Sequence, residues 1–92
     1  MNNMKAILTL VGKDAVGIIA GVCGTLADNN INVLDISQTV MQGYFTMMMV
    51  VDTSGCTTPF AELSRELTEF GQSRNLSIRI QREDIFDAMH KI

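Results

Sequence analysis

The residues best placed to do chemistry lie in one short segment, Gly12-Lys13-Asp14-Ala15-Val16-Gly17-Ile18. A glycine near each end lets a ligand approach the backbone closely. The segment precedes a predicted helix, whose unpaired N–H groups and positive dipole end favour a carboxylate or a phosphate. A purely structural role also fits, in which Gly12 makes a turn, Asp14 caps the helix and Gly17 lets the helix lie near the sheet. Spacing alone leaves both interpretations open.

Two nucleotide-binding interpretations fail on particular residues. The Gly12-x4-Gly17 spacing starts like a P-loop, but Ile18 and Ile19 occupy the positions where that motif needs Lys and Ser or Thr. The segment Gly43-Tyr44-Phe45 has an RNA-recognition spacing without its basic and second aromatic residues. Because the net charge is −3, we expect no nucleic-acid partner.

Catalytic constellations are missing from the sequence. His90 is the single histidine, so neither a histidine-based triad nor a histidine-rich metal cluster can be assembled. Cys23 falls on the apolar stripe of a predicted helix, and Cys56 falls in a loop, where we expect an exposed free thiol. We therefore expect no enzyme activity, no cofactor and no metal.

A second candidate binding segment is Asn30-Ile31-Asn32-Val33, at the start of a predicted strand. An exposed amide there can donate to a carboxylate and accept from an ammonium group. Ordinary turn chemistry explains the same residues equally well.

The elements that must position these residues follow from hydrophobic patterning. The patterns predict strands near 4–11, 31–41, 44–51 and 76–81, a helix between Asp14 and Asn29-Asn30, and a second helix with Thr58 as N-cap and Pro59 as first residue. A last short helix is predicted over 84–92. Broken alternation predicts a bulge near Val33, and Met48 is predicted to face away from Met47 and Met49.

This order of elements predicts an α+β, ferredoxin-like βαββαβ sandwich. The antiparallel sheet would have the spatial order 4-1-3-2, with two helices on one face and a short C-terminal helix. Strands one and three are apolar on both faces, as central strands require. The other face of the sheet is partly apolar, which hints at a partner.

Length and composition indicate one small globular domain, residues 1–92, with its core over 4–83 and a tail over 84–92. Hydrophobic residues make up 47% of the chain and charged residues 18%. Two cysteines, no visible signal peptide and no long apolar segment predict a cytoplasmic, reduced protein. So small a domain is marginal alone, which favours association.

The segments VGKDAVGI and NINVLDISQ on this framework resemble the ACT domain, a small regulatory module that typically binds amino acids. The third strand, with YFTMM, and the tail, with IFDAM, are most similar to a short, single-domain bacterial ACT family of unassigned function. A more distant similarity is to the ACT repeats of the glycine cleavage system transcriptional repressor. One departure is Val16, where many relatives have proline, so we expect a less rigid loop and a different ligand preference.

The resemblance implies a homodimer that pairs side by side through an edge strand, with a ligand between the first loop of one copy and the second strand of its neighbour. The implied loop residues are Gly12, Lys13, Asp14, Val16, Gly17 and Ile18, and the implied strand residues are Asn32, Val33 and Leu34. Loop N–H groups would bind the ligand carboxylate. Asp14 or a carbonyl would bind its ammonium group.

The resulting hypothesis is a non-catalytic, cytoplasmic module that binds an amino acid at a homodimer interface and signals through a partner protein or a change in assembly. The alternative is a protein–protein interaction module without a ligand, since Val16 departs from the family pattern and no effector domain is attached. A small enzyme is a third and weaker hypothesis.

Overall fold

The computed structural model describes residues 4–13 and 17–84, which form four strands and two helices. In chain order the elements are β1 Lys5–Gly12, α1 Ile18–Asp28, β2 Asn32–Met41, β3 Tyr44–Asp52, α2 Phe60–Ser73 and β4 Ser77–Arg82. The predicted βαββαβ order is confirmed.

All four strands form one antiparallel sheet in the order β2-β3-β1-β4. This is the predicted 4-1-3-2 order read from the other edge, so the ferredoxin-like fold is confirmed. β1 pairs with β3 from Lys5↔Asp52 to Gly12↔Phe45, and with β4 on its other side. Because β2 and β4 have one neighbour each, they are the edge strands, and β1 and β3 are central as their apolar faces predicted.

The pairing of β2 with β3 contains the predicted irregularity. Val33 lies opposite Val51, but Asp35 lies opposite Val50, so Leu34 is an extra residue in β2. Such a bulge moves the side chains that follow it to the other face of the strand. This shift in the β2–β3 register explains why apolar and polar residues do not alternate regularly in this part of the sequence.

The core lies between the sheet and the two helices. Its fully buried large side chains come from both layers: Leu8, Leu10, Val22, Leu26, Met47, Met49, Val51, Leu63 and Leu67. Met48, between two buried methionines, is 40% exposed on the opposite face, as predicted. Partly buried aromatic rings from β3 and α2, Phe45, Phe60 and Phe70, pack against the edge of this core.

The described turn positions with positive φ hold asparagine or glycine, except for Gln42. Asn30 follows α1 with φ 58°, and Asn75 follows α2 with φ 60°. The tight turn between β2 and β3 has φ 52° at Gln42 and φ 81° at Gly43. Two positive φ angles are typical of the type I′ turn that suits the twist of a hairpin.

The start of α2 corrects one prediction. Pro59, not Thr58, occupies the N-cap position, and the helix begins at Phe60. The Thr58 hydroxyl instead donates a hydrogen bond to Asn29 Oδ1 at 2.6 Å. This bond ties the loop before α2 to the end of α1.

The predicted helical tail is described only at its beginning, where Glu83 and Asp84 are helical. Its remaining residues, like Asp14 and Val16 of the predicted loop site, lie outside the described residues. Over 4–13 and 17–84, neither helix has the length and apolar character needed to cross a membrane.

Candidate functional site

The loop after β1 begins at a glycine whose role is packing. Gly12 is buried, and a Cβ at this position would overlap the side chain of Leu76. A side chain at position 12 would require Leu76 to move, so packing against Leu76 accounts for this glycine. Gly12 is the last residue of β1, so it has this packing role and not the turn expected from the sequence.

Gly17, at the other end of the loop, is different. It is exposed, has φ +77°, and nothing lies within 4 Å of the place where its Cβ would be. Gly17 occupies the N-cap position of α1, and its carbonyl accepts a hydrogen bond from the N–H of Gly21 at 3.2 Å. Position 17 needs glycine because its backbone is left-handed. The space around it is open to a ligand.

The position of Gly17 also corrects the expected start of α1. Asp14 was predicted as the N-cap, but the helix begins only at Ile18, because the left-handed turn at Gly17 delays it. Ile18 is 3% exposed and belongs to the core. Only its backbone can therefore take part in a site.

The first turn of α1 provides donors for an anion. It has no acidic residue and no side-chain cap, whereas α2 carries Glu62 in its first turn. The N–H groups at a helix start lack acceptors within the helix, and the dipole adds positive potential. This end of α1 is thus suited to a carboxylate.

Lys13 places a cation at the same end of the sheet, on the face that points away from the helices. Its ammonium nitrogen lies 5.5 Å from the centroid of the Tyr44 ring, an arrangement that holds a cation by its attraction to the ring face. Sequence analysis did not select Tyr44 for the site. The signal was non-local, because only the β1–β3 register, with Gly12 opposite Phe45, brings Tyr44 next to the loop.

The predicted strand residues at the start of β2 have different environments. Asn32 is exposed and pairs with Asp52, and Leu34 is 46% exposed at the bulge. Val33 is half-buried and packs against the core. Two of the three side chains are therefore accessible to a ligand or to another protein.

The loop and these strand residues lie at opposite ends of the sheet. Gly12 pairs with Phe45 at one end, whereas Asn32 pairs with Asp52, which pairs with Lys5, at the other. At about 3.4 Å per residue, the length of β1 separates the two groups by roughly 24 Å. One copy of the chain does not bring the two parts of the predicted site together.

The loop after β3 is held by several hydrogen bonds. The N–H and the hydroxyl of Thr53 both donate to the carbonyl of Met4, at 2.7 and 2.8 Å. The N–H of Ser54 donates to Asp52 Oδ1 at 2.9 Å. Hydrogen bonds from Ser54, and then the nearby charge of Lys5, lower the pKa of Asp52 below its ordinary value of 3.8.

Neither cysteine is placed for chemistry. Cys23 is half-buried in α1 and packs against the core. Cys56 was expected to be exposed, but it is half-buried too, and its Sγ donates to the carbonyl of Thr58 at 3.5 Å. The described residues contain no group of three metal-ligating side chains.

Comparisons with known proteins identify a matching family and several relatives of this chain. Residues 5–81 match the family described as the ACT domain. The UPF0237 protein lin0537 of Listeria innocua is 56% identical over 89 residues, which cover 97% of this chain and 100% of the relative. An ACT domain protein from Streptococcus pneumoniae has a solved structure with a TM-score of 0.81 and 50% identity, covering 97% of this chain and 100% of that one.

A more distant structural likeness extends to a larger protein. A structure described as a glycine cleavage system transcriptional repressor superposes with a TM-score of 0.76 at 13% identity, over 89% of this chain and 48% of that one. At this identity the likeness concerns the fold alone.

Proposed function

Because this chain belongs to the ACT domain family, whose domains are regulatory modules that bind small molecules, we propose that it is a non-catalytic amino-acid sensor. The ligand would lie between two copies of the chain, and the signal would pass through a partner protein or a change in assembly.

The observation that carries the proposal is the position of β2. It is an edge strand of ten residues, exposed along nearly its whole length, and β3 is its single neighbour among the described strands. If a second copy pairs its β2 antiparallel to this one, the start of the partner's β2 comes to the end of the sheet that carries Gly12 and Gly17. The two halves of the site, separated within one chain, then lie at the same end.

The ligand chemistry follows from the groups at this end. The N–H groups of the first turn of α1 suit a carboxylate. The exposed amide of Asn32 from the other copy offers an acceptor oxygen for an ammonium group and a donor for a second carboxylate oxygen. An α-amino acid carries both groups.

A ligand at an interface acts on assembly. If it contacts both copies, it binds the pair better than the single chain and shifts association by that difference in affinity. A change in assembly is thus one way for ligand binding to produce a signal.

Thermal unfolding of the full chain with each of the twenty amino acids tests the proposal. A ligand present at 100 times its Kd adds about 2.7 kcal/mol of stability. In a domain of this size that raises Tm by on the order of 10 °C. If none of the twenty changes Tm, the sensing proposal is wrong.

Two glycine variants then locate the site. Gly17→Ala strains a left-handed residue at the loop, and Gly43→Ala strains a left-handed residue in the hairpin turn with equally open space around it. Both variants should lose similar stability. Only Gly17→Ala should lose the ligand-induced rise in Tm, and equal loss in both would place the ligand elsewhere.

The second candidate function is a protein–protein module without a ligand. It is favoured by the exposed apolar side chains of β2, among them Val40 at 71% and Met41 at 67%. A partner protein that is retained with the same affinity with and without amino acids would support this function over sensing.

A further inference from the structure

The face of the sheet opposite the helices is uncovered among the described residues and has an apolar centre. We call it the open face; it consists of the strand residues on the side of the sheet away from the helices, of which Ile7 is itself buried by its neighbours at 8% exposure. On the two central strands it presents Val11 at 39%, Tyr44 at 48% and Met48 at 40% exposure, next to Ile7, Val50, Thr9 and Thr46. Apolar side chains of this size on a sheet surface are typical of a contact region.

The charges on this face are divided between its two halves. The acidic strand residues of the open face, Asp35 and Asp52, lie on β2 and β3. The basic ones, Lys5 and Arg79, lie on β1 and β4. Because the strand order is β2-β3-β1-β4, one half of the face is acidic and the other basic.

Such a division is self-complementary under a twofold rotation. A twofold axis parallel to the strands, lying between two stacked sheets, places β3 of one copy over β1 of the other and β2 over β4. Asp52 of one copy then lies over Lys5 of the second copy. Asp35 lies over Gln81 of the second copy, two residues along β4 from Arg79. Opposite charges meet at the rim, and the apolar residues meet at the centre.

From this arrangement we propose that the open face binds the open face of a second copy of this chain. Stacked sheets pack about 10 Å apart with strand directions within about 30° of each other, which keeps the charge pairs within reach of their long side chains. This contact is distinct from pairing along the β2 edge and does not require the ligand.

The size of the face sets the expected strength. Strand spacing and rise give it an area of about 500 Å² per copy, or about 1,000 Å² buried in total. That value lies at the lower limit for a specific interface. A single face-to-face pair should therefore be weak. Two copies joined edge to edge would present twice the area and associate more strongly.

Sedimentation equilibrium of the full chain over a range of concentrations tests the proposal. The wild type should show masses above the 10.1 kDa of one chain. Arg79→Asp, at the edge far from β2, should raise the dissociation constant at least about tenfold, because it places like charges opposite each other. The double variant Arg79→Asp/Asp35→Arg should restore association to near the wild-type value.

The matched control is Arg65→Asp on α2. This substitution makes the same change of charge as Arg79→Asp. The Arg65 side chain is also exposed, but it lies on a helix and not on the open face. This variant should leave the dissociation constant within about twofold of the wild type. A second probe, Met48→Glu, puts a charge at the centre of the face and should also dissociate the pair.

Three results would overturn the proposal. One is a wild type of 10.1 kDa at all concentrations, which would mean that no second copy covers this face. Another is an assembly whose mass does not respond to Arg79→Asp or Met48→Glu, which would place the contact at another surface, such as the β2 edge. The last is a failure of the double variant to recover, which would show that Asp35 and Arg79 do not meet.

Discussion

Gly21 of α1 lies directly against the aromatic ring of Phe70 in α2, so that a Cβ at position 21 would overlap that ring. The two helices touch at this point because one of them has no side chain there. Gly24, one turn later on the same helix, has nothing within 4 Å of its Cβ position.

This difference predicts opposite effects of the same substitution at the two glycines. Gly21→Ala should lower the free energy of unfolding by about 1–3 kcal/mol, because the methyl group displaces the Phe70 ring. Gly24→Ala should raise it by about 0.5–1 kcal/mol, since alanine favours a helix over glycine. Urea denaturation followed by circular dichroism measures both. Equal effects at the two sites would contradict the contact.

The centre of α2 should be sensitive to truncation. Leu67 is completely buried, and Leu67→Ala should cost roughly 2–5 kcal/mol, close to the whole stability of so small a domain. Glu66→Ala, on the exposed side of the same turn, should change stability by less than about 0.5 kcal/mol. A Leu67→Ala protein that melts cooperatively near the wild-type Tm would show that this core assignment is wrong.

The hairpin turn offers a stabilising change. Gln42 has φ 52°, a left-handed conformation that asparagine adopts more readily than glutamine. Gln42→Asn should therefore raise the free energy of unfolding by roughly 0.5 kcal/mol. Gln72→Asn on α2 is the control, since that position has ordinary helical backbone and should gain nothing. No gain at position 42 would count against the turn geometry.

Asp52 predicts a pH dependence. Its pKa is lowered in the folded chain, first by hydrogen bonds from Ser54 and then by the charge of Lys5, so its carboxylate stabilises the fold above the ordinary pKa of 3.8. That contribution is lost as the pH falls through the lowered value. The stability difference between the wild type and Asp52→Asn should be largest near neutral pH and shrink in acid. Chemical denaturation at several pH values measures it, and a constant difference would rule out this role.

A site shared between two copies predicts recovery on mixing. Gly17→Ala and Asn32→Ala should each abolish the response to the amino acid found by thermal unfolding. A mixed pair, however, has one intact loop facing one intact strand, so about half of the mixed pairs' sites should bind. Calorimetric titration of the mixture measures this number of sites. A mixture that binds nothing would show that both residues act within the same copy.

Much of the fold was predictable because the pattern of apolar residues in each strand reflects which of its faces are buried. β1 and β3 are apolar on both faces because both are central, and the broken alternation at Val33 marks the bulge at Leu34. The alternation of Met47, Met48 and Met49 correctly gave their faces.

Features that depend on contacts distant in sequence were missed. Cys56 is half-buried because it packs against the core, and the neighbouring Thr58 is bonded to Asn29, a residue 29 positions earlier. The start of α1 depends on the left-handed backbone at Gly17, which the side-chain pattern does not reveal. Tyr44 reaches Lys13 only through the pairing of β1 with β3. The site residues themselves remain a prediction, since two of them lie outside the described residues.

The bulge at Leu34 has a further consequence for the long border of the sheet. A straight, apolar border strand of ten residues without proline is a template for fibre growth, because each added strand exposes an identical new border. The extra residue interrupts the regular spacing of the outward backbone groups after the first two residues of β2. Strand addition is thereby limited to a partner that tolerates this step, and unlimited stacking of strands is disfavoured.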